Sequence, residues 1–404
     1  MTIEELEFLK TPAAREAINK YIDTDPARAA MQLRGEFGSF ASTLATQIKY
    51  LERAKTKIPS YYLNRCIIEP LAFEQSSSSI VSKTKEYSGA LCLDLTCGLG
   101  VDVINFAGRF DRVITVERNE LLVDIARYNF SLLGVNNVEV RAGNSEDFVS
   151  EYASSVLSGD APKADLLYVD PARRDSAGKK TVGFASCSPD IVPMLDSIEV
   201  CARRVVVKCS PLFEVSELFA VFGEQGVEAQ VVSSRAECKE VVVDRTFGSQ
   251  SKARVQVVSS ELGQRCFDLG YKCDNGAAFA LPYKYMLLPD VAMYKARMVE
   301  SYVRSLGEHA FIDSQNGYGF TNHLPENFFG RVFEIENMEV FKAKKLKKEL
   351  SLRGIKRATL MQHNMNMSND ALAKSMGISI GGDNLIAFTR IKQESYIVFI
   401  GKKL

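Results

Sequence analysis

Two carboxylates and two glycines frame the first place in this chain where chemistry could be done. Asp94-Leu95-Thr96-Cys97-Gly98-Leu99-Gly100 grows out of one apolar run, and Glu117 closes the next, 23 residues after Asp94. Glycines at a strand exit let the backbone turn tightly and approach a ligand with no Cβ in the way. A carboxylate at the end of the second strand can accept both hydroxyls of a ribose. A dinucleotide site would continue as GxGxxG, but Asp102 and Val103 stand where the third glycine is sought, and no GK[ST] follows to make a P-loop. The pattern suits a nucleoside with an amino-acid tail and no phosphate. A second cluster is Asp170-Pro171-Ala172-Arg173-Arg174-Asp175. There Asp170 can take a proton or hydrogen-bond an acceptor amine, Pro171 fixes the turn, and Arg173 can grip a phosphate or a base. A strand-end Asp that only caps the next helix is the plainer alternative.

These residues need strands to position them. LCLDL (91–95), VITVE (113–117), VEVRA (138–142), DLLYVD (165–170) and RVVVKCS (204–210) are near-continuous apolar runs, as expected of strands buried on both faces of a parallel sheet. Between the second and third lies a helix over 119–133. After the fifth, Ser210 can cap, Pro211 suits a first helical turn, and Gly223 follows its end. AQVVSS (229–234), EVVVDRTF (240–247) and ARVQVVSS (253–260) then come with no room for a helix. Together they predict a doubly wound α/β sheet with an antiparallel edge. Residues 1–88 show helical spacing, notably from Met31 to Leu51, broken by the polar loop Glu74–Ser79. Past about 262 a linker punctuated by Gly263, Gly270, Gly276 and Pro282 leads to an amphipathic helix over 290–306. Strands are expected near 338–341, 357–361, 385–391 and 395–400.

Composition narrows the class. Fifty Lys and Arg balance fifty Asp and Glu over 404 residues, which argues against a uniformly basic nucleic-acid binder and an acidic disordered tail. The charge is uneven, however: residues 342–357, KAKKLKKELSLRGIKR, hold eight bases and one acid, a run that can track a phosphate backbone or form a solvated helix face. Arg173, Arg174, Lys179 and Lys180 would extend that basic surface. Nine cysteines with no CxxC and three histidines speak against a disulfide scaffold and a zinc cluster, so no metal is expected. The opening MTIEELEFLK lacks the apolar core of a secretory leader, and no run of about 18 apolar residues exists. A soluble, cytoplasmic protein is the expectation, with no membrane partner.

DLTCGLG (94–100) resembles motif I of class I S-adenosylmethionine-dependent methyltransferases, and VITVERN (113–119) resembles their acidic motif II. The Asp-x-x-Cys-Gly-x-Gly version, and Ala126-Arg127-Tyr128-Asn129 on the following helix, are similar to the RNA-modifying subset. The whole chain resembles a bacterial family in which this core precedes a ferredoxin-like segment and a THUMP-like domain. The resemblance implies a seven-stranded Rossmann-like core at 89–262, after a helical domain at 1–88 and before small α+β domains at 263–335 and 336–404. It implies S-adenosylmethionine as cofactor, held by Asp94, Thr96, Cys97, Gly98, Gly100, Asp102, Glu117 and Arg118, with Asn144 and Ser145 at the adenine. Asp170, Pro171 and Arg173 would be catalytic. The absence of an aromatic after Pro171 puts adenine-N6 chemistry in doubt. Cys209 stands near where uridine-C5 enzymes carry a nucleophilic thiol, and Lys208 beside it can lower a thiol pKa, but a buried packing cysteine is the simpler role. The expected function is methylation of a nucleotide in tRNA or rRNA. The alternatives are a non-catalytic RNA-binding protein on the same fold, or a methyltransferase for a protein or small molecule.

Overall fold

A computed structural model describes residues 1–173 and 183–404. The chain forms two compact units, Met1–Val232 with Lys239–Ala253, and Ser233–Cys238 with Arg254–Leu404.

The first unit opens with seven helices: α1 (Ile3–Lys10), α2 (Pro12–Tyr21), α3 (Pro26–Phe37), α4 (Ala41–Lys57), α5 (Pro59–Leu63), α6 (Pro70–Gln75) and α7 (Ser79–Ser82). Their starts are chemically marked. Thr2 and Glu5 make a reciprocal capping box, and α2, α3, α5 and α6 each carry proline in the first turn, where its missing N–H costs nothing. Among the described residues seven strands of one sheet follow: β1 (Gly89–Asp94), β2 (Phe110–Glu117), β3 (Val138–Ala142), β4 (Leu166–Val169), β5 (Arg204–Cys209), β6 (Val227–Ser234) and β7 (Glu237–Thr246). Between them lie α8 (Val101–Ala107), α9 (Glu120–Leu132), α10 (Ser145–Ser158), α11 (Leu195–Cys201) and α12 (Val215–Phe222).

The strands run in the order 3-2-1-4-5-7-6, with β1 to β5 parallel and β7 antiparallel to β5. The order reverses between β1 and β4, and the carboxyl ends of strands at such a switch point are the usual ligand site of these sheets. The N-terminal helices share a core with that edge. Leu6, Leu44, Ile48, Leu51 and Tyr61 pack in one cluster with Leu99, Val101 and Ile125. One buried amide stitches the join, Asn129 of α9, which both accepts from Ile67 N (2.9 Å) and donates to Ile67 O (2.8 Å); within the helical region Gln47 of α4 does the same for Ile68 at 2.9 and 2.7 Å. Asn129, expected to echo RNA-modifying relatives, thus has a clear packing duty.

The helix expected from Ser210 begins later. Ser210 instead closes a turn, its Oγ accepting from Leu212 N (3.3 Å) and its carbonyl from Phe213 N (3.0 Å), so α12 starts only at Val215. Gly223, at φ +86°, ends it as expected.

In the second unit, β8 (Arg254–Ser259) and β9 (Gly263–Asp268) form an antiparallel hairpin. A seven-stranded sheet is built from β10 (Tyr285–Pro289), β11 (Ala310–Ile312), β12 (Gly319–Thr321), β13 (Gly330–Val340), β14 (Arg357–Gln362), β15 (Ser379–Ile391) and β16 (Glu394–Lys403), in the order 11-12-10-13-16-15-14. Strand periodicity serves two cores: Ile386, Phe388, Ile397 and Phe399 face one, Ala387 and Val398 the other. The single helix expected over 290–306 is two, α13 (Val291–Lys295) and α14 (Val299–Arg304), because Arg297 takes φ +56° between them. Its apolar periodicity survives the break, since Met293, Val299, Tyr302 and Val303 are all buried. The basic run carries α15 (Ala343–Leu352), and α16 (Asn369–Met376) is capped by Ser368. Among the described residues no helix is long and apolar enough to cross a membrane.

Candidate active site

The glycine turn at the end of β1 is fixed from below. Leu95 N bonds Tyr168 O on one side (2.9 Å) and Cys97 N bonds Val116 O on the other (2.9 Å), so the turn is clamped between β4 and β2. Gly98 and Gly100 take φ +54° and +79°. At Gly100 an added Cβ would lie 2.6 Å from the Phe130 ring, whereas at Gly98 it would meet nothing within 4 Å. Gly100 is therefore demanded by packing, and Gly98 borders open space. Tyr61 of α5 donates its hydroxyl to Leu99 O, so a helix far upstream also holds the turn.

The two expected cofactor carboxylates behave differently. Glu117 accepts from Gly98 N through Oε2 and from Asn119 N through Oε1, both at 2.9 Å. A carboxylate offers about four acceptor positions, so room remains for two ribose hydroxyls. Asp94 is 1% exposed and spends its oxygens inward, accepting from Thr115 Oγ1 (2.6 Å) and Thr96 N (3.2 Å). Burial pushes its carboxyl up to about 7, against the pull of those two hydrogen bonds. Asp94 shapes the turn rather than facing its open side. Cys97 is likewise buried, its thiol raised by desolvation.

Asp102 also turns inward. It lies 3.3 Å from the Lys85 ammonium and accepts from Tyr168 OH (2.9 Å) and Ser77 Oγ (3.1 Å). Burial alone would raise its carboxyl, but Lys85 and Lys208 outweigh that and hold it well below the usual range. Arg118 is exposed and donates to Ser188 Oγ at 3.1 Å. Asn144 occupies the exposed N-cap position of α10, while Ser145 is buried and donates to Leu95 O at 2.7 Å. Ser145 thus ties the end of β3 to the glycine turn, leaving Asn144 as the outward member of that pair.

The second cluster joins the first through one side chain. The Thr96 hydroxyl accepts from Asp170 N at 2.7 Å, which sets the exit of β4 beside the glycine turn. Pro171 follows, and the backbones of Ala172 and Arg173 pair antiparallel with Cys187 and Ser188. Arg174, Lys179 and Lys180 lie outside the described residues. Asp170 Oδ2 is 2.6 Å from Lys208 Nζ. Cys209 points away into the core at 5% exposure, and burial raises its thiol well above the ordinary value, so it is a packing residue.

Sequence reasoning passed over Ser77, Lys85, Tyr168 and Glu240, and weighed Lys208 only as a neighbour of Cys209. Lys85 Nζ stands 2.7 Å from Glu240 Oε1, and both side chains are 2% exposed. A charged residue inside an apolar strand run, as Lys208 is in RVVVKC and Glu240 in EVVVD, was the available signal, because such groups are buried only when paired.

Residues 330–403 match the family described as THUMP domain-like. An uncharacterized S-adenosylmethionine-dependent methyltransferase of Mycobacterium tuberculosis is 24% identical over 367 residues, 89% of this chain and 95% of the relative. A tRNA/tmRNA (uracil-C(5))-methyltransferase of Shewanella woodyi is 30% identical over 138 residues, covering 32% of this chain and 34% of that protein. Across all of both chains, the fold matches the crystal structure of a presumed methyltransferase from Porphyromonas gingivalis W83, with a TM-score of 0.80 and 23% identity. Glu117, a carboxylate beside a glycine that borders open space, would repel a diphosphate. The chain thus shares the fold of that methyltransferase structure along its whole length and carries a THUMP-like domain at residues 330–403.

Proposed function

We propose that the protein transfers a methyl group from S-adenosylmethionine to a nucleotide of structured tRNA or rRNA, and that it works in the cytoplasm. The observation that carries this reading is the hydrogen bond from Asp170 N to Thr96 Oγ1, which sets the acceptor-side carboxylate against the turn that borders the cofactor space. In this reading Glu117 takes the ribose, the backbone at Gly98 admits the rest of the nucleoside, and Asn144 lies at the adenine edge. Bound there, S-adenosylmethionine supplies an electrophilic methyl on a sulfonium. Asp170 accepts a hydrogen bond from the acceptor atom, which orients its lone pair, and takes that proton once the methyl has been transferred, while Pro171 keeps the strand exit from continuing into a helix. Arg173 is assigned to the phosphate or base of the acceptor.

The inward burial of Cys209 favours direct attack by a nitrogen or oxygen of the nucleotide over a covalent thiolate adduct at a pyrimidine carbon. All six cysteines of the first unit that precede β6 are buried: Cys66, Cys92, Cys97, Cys187, Cys201 and Cys209. The nucleotide would have to leave its stack to reach Asp170. Anchoring falls to 336–404, where Lys344, Lys345, Lys347 and Lys348 of α15 are exposed while Leu346 and Leu350 seat the helix in the core. Such a lysine face suits recognition of RNA by shape and phosphate. The nine free cysteines suit a reducing compartment.

The test is incubation of purified protein and labelled S-adenosylmethionine with total RNA from a strain lacking the gene. Label in RNA, assigned by mass spectrometry of nucleosides, supports the reading. Donor binding without label would make the protein a binding module. Label in protein or metabolite, with activity kept after deletion of 336–404, would assign a different substrate.

A further inference from the structure

Asp170 is held by a lysine that belongs to a larger buried array. Lys208 Nζ lies 2.6 Å from Asp170 Oδ2, donates to Ser77 Oγ at 3.1 Å, and stands 3.9 Å from Glu240 Oε2. Ser77 passes the contact on by donating to Asp102 Oδ2 (3.1 Å), which also accepts from Tyr168 OH (2.9 Å). Lys85 closes the array between Glu240 (2.7 Å) and Asp102 (3.3 Å). Two ammonium groups and three carboxylates thus meet beneath the strand ends. They come from the N-terminal segment, α8, the exit of β4, β5 and β7, spanning residues 85 to 240. Burial would strip the proton from Lys208, but Asp170, Glu240 and Asp102 outweigh it and keep the ammonium.

Such an assembly is a poor way to gain stability, since the desolvation of buried ions commonly cancels their attraction. What it does supply is geometry: a carboxylate pinned by a nearly buried ammonium has few rotamers left. We propose that Lys208 is a positioning residue for methyl transfer, fixing the Asp170 carboxylate where it meets the acceptor, with Ser77 and the Lys85–Glu240–Asp102 group as its seat. This rests on the reading that places Asp170 at the acceptor. Lys208 acts through Asp170 and is not itself a reacting group. The N-terminal segment thereby becomes part of the reaction centre, because Ser77 is the link between Lys208 and Asp102.

The experiment compares the full-length wild type with Lys208→Met, Lys208→Arg, Asp170→Asn and the Lys208→Met/Asp170→Asn double variant. Binding of S-adenosylmethionine is measured by calorimetry, and label transfer to total RNA from the gene-lacking strain at saturating donor. Lys208→Met should keep donor affinity and donor KM while the transfer rate falls about 100-fold, the loss expected when a reacting pair is misplaced by about 1 Å. Lys208→Arg should recover at least part of that loss. The double variant should be no slower than Asp170→Asn alone, because the two act as a unit. Losses that multiply in the double variant, or a loss that appears in donor KM, would overturn the proposal. Should Lys208→Met fail to fold, Lys208→Arg with Asp170→Asn forms the same cycle. If the wild type labels no RNA, the RNA reading falls. A crystal structure of Lys208→Met or, failing that, Lys208→Arg then decides the positioning claim: a displaced Asp170 carboxylate supports it, and an unmoved one refutes it.

Discussion

Gly98 and Gly100 differ by two positions in sequence, yet alanine should harm them in opposite ways. Both have left-handed backbones, and placing a Cβ there costs about 1–2 kcal/mol. At Gly100 the new methyl would lie 2.6 Å from Phe130 Cζ and 2.7 Å from Cε1, where carbon pairs need about 3.5–4 Å. Phe130 is 3% exposed and cannot swing aside freely, so overpacking adds about 1–3 kcal/mol. Gly100→Ala should therefore destabilise the first unit by about 2–5 kcal/mol, which at about 2–4 °C per kcal/mol lowers its melting temperature by roughly 4–20 °C. Gly98→Ala carries only the backbone cost, because nothing lies within 4 Å of the added carbon. The space it fills is the space assigned to the cofactor, so an overlap of about 1–3 kcal/mol should fall on binding, weakening it about 5- to 150-fold. Thermal melts and calorimetric titration with S-adenosylmethionine separate the two. Wild-type affinity in Gly98→Ala would refute the cofactor placement, and equal melting of the two variants would refute the packing account of Gly100.

Glu117→Ala should weaken donor binding by about 100-fold or more, since charge-assisted hydrogen bonds to two hydroxyls are worth about 1.5–3 kcal/mol each; an unchanged calorimetric constant would remove Glu117 from the ribose. Asp94 stays protonated in the folded chain up to about 7 but ionises near 3.8 when unfolded, so the native state holds an extra proton in that window and rising pH withdraws stability. Asp94→Asn should consequently gain in melting temperature relative to wild type between about pH 4 and pH 7, and parallel curves across that range would contradict this. Asp170→Ala should leave donor affinity within about two-fold while transfer falls about 10²–10⁴-fold, and undiminished label incorporation would take Asp170 away from the chemistry. Reversing Lys344 and Lys348 to Glu should weaken RNA binding and make its log–log salt dependence shallower by about one per lysine; filter binding across a salt series with an unaltered slope would exclude that face.

What the sequence determined by itself was local. Near-continuous apolar runs announced β1 to β5, because a strand covered on both faces has no polar side to show. Gly98, Gly100 and Glu117 marked the end proposed here for the cofactor, because turn and ribose chemistry admit few residue types. Tertiary structure alone decided which carboxylates face outward. Asp94 and Glu117 look equivalent in a motif, but Thr115 and Thr96 draw the first inward while Gly98 N and Asn119 N hold the second at the rim. The same holds for Asp102, captured by Lys85, Ser77 and Tyr168, and for the polar stretch around Ser77, which looked like a plain loop. The break at Arg297 was equally invisible, since one left-handed residue leaves helical periodicity nearly intact. Ion pairs and hydrogen bonds join residues tens to more than a hundred positions apart, as Lys208 joins Ser77, and a linear pattern carries no record of which distant partner arrives.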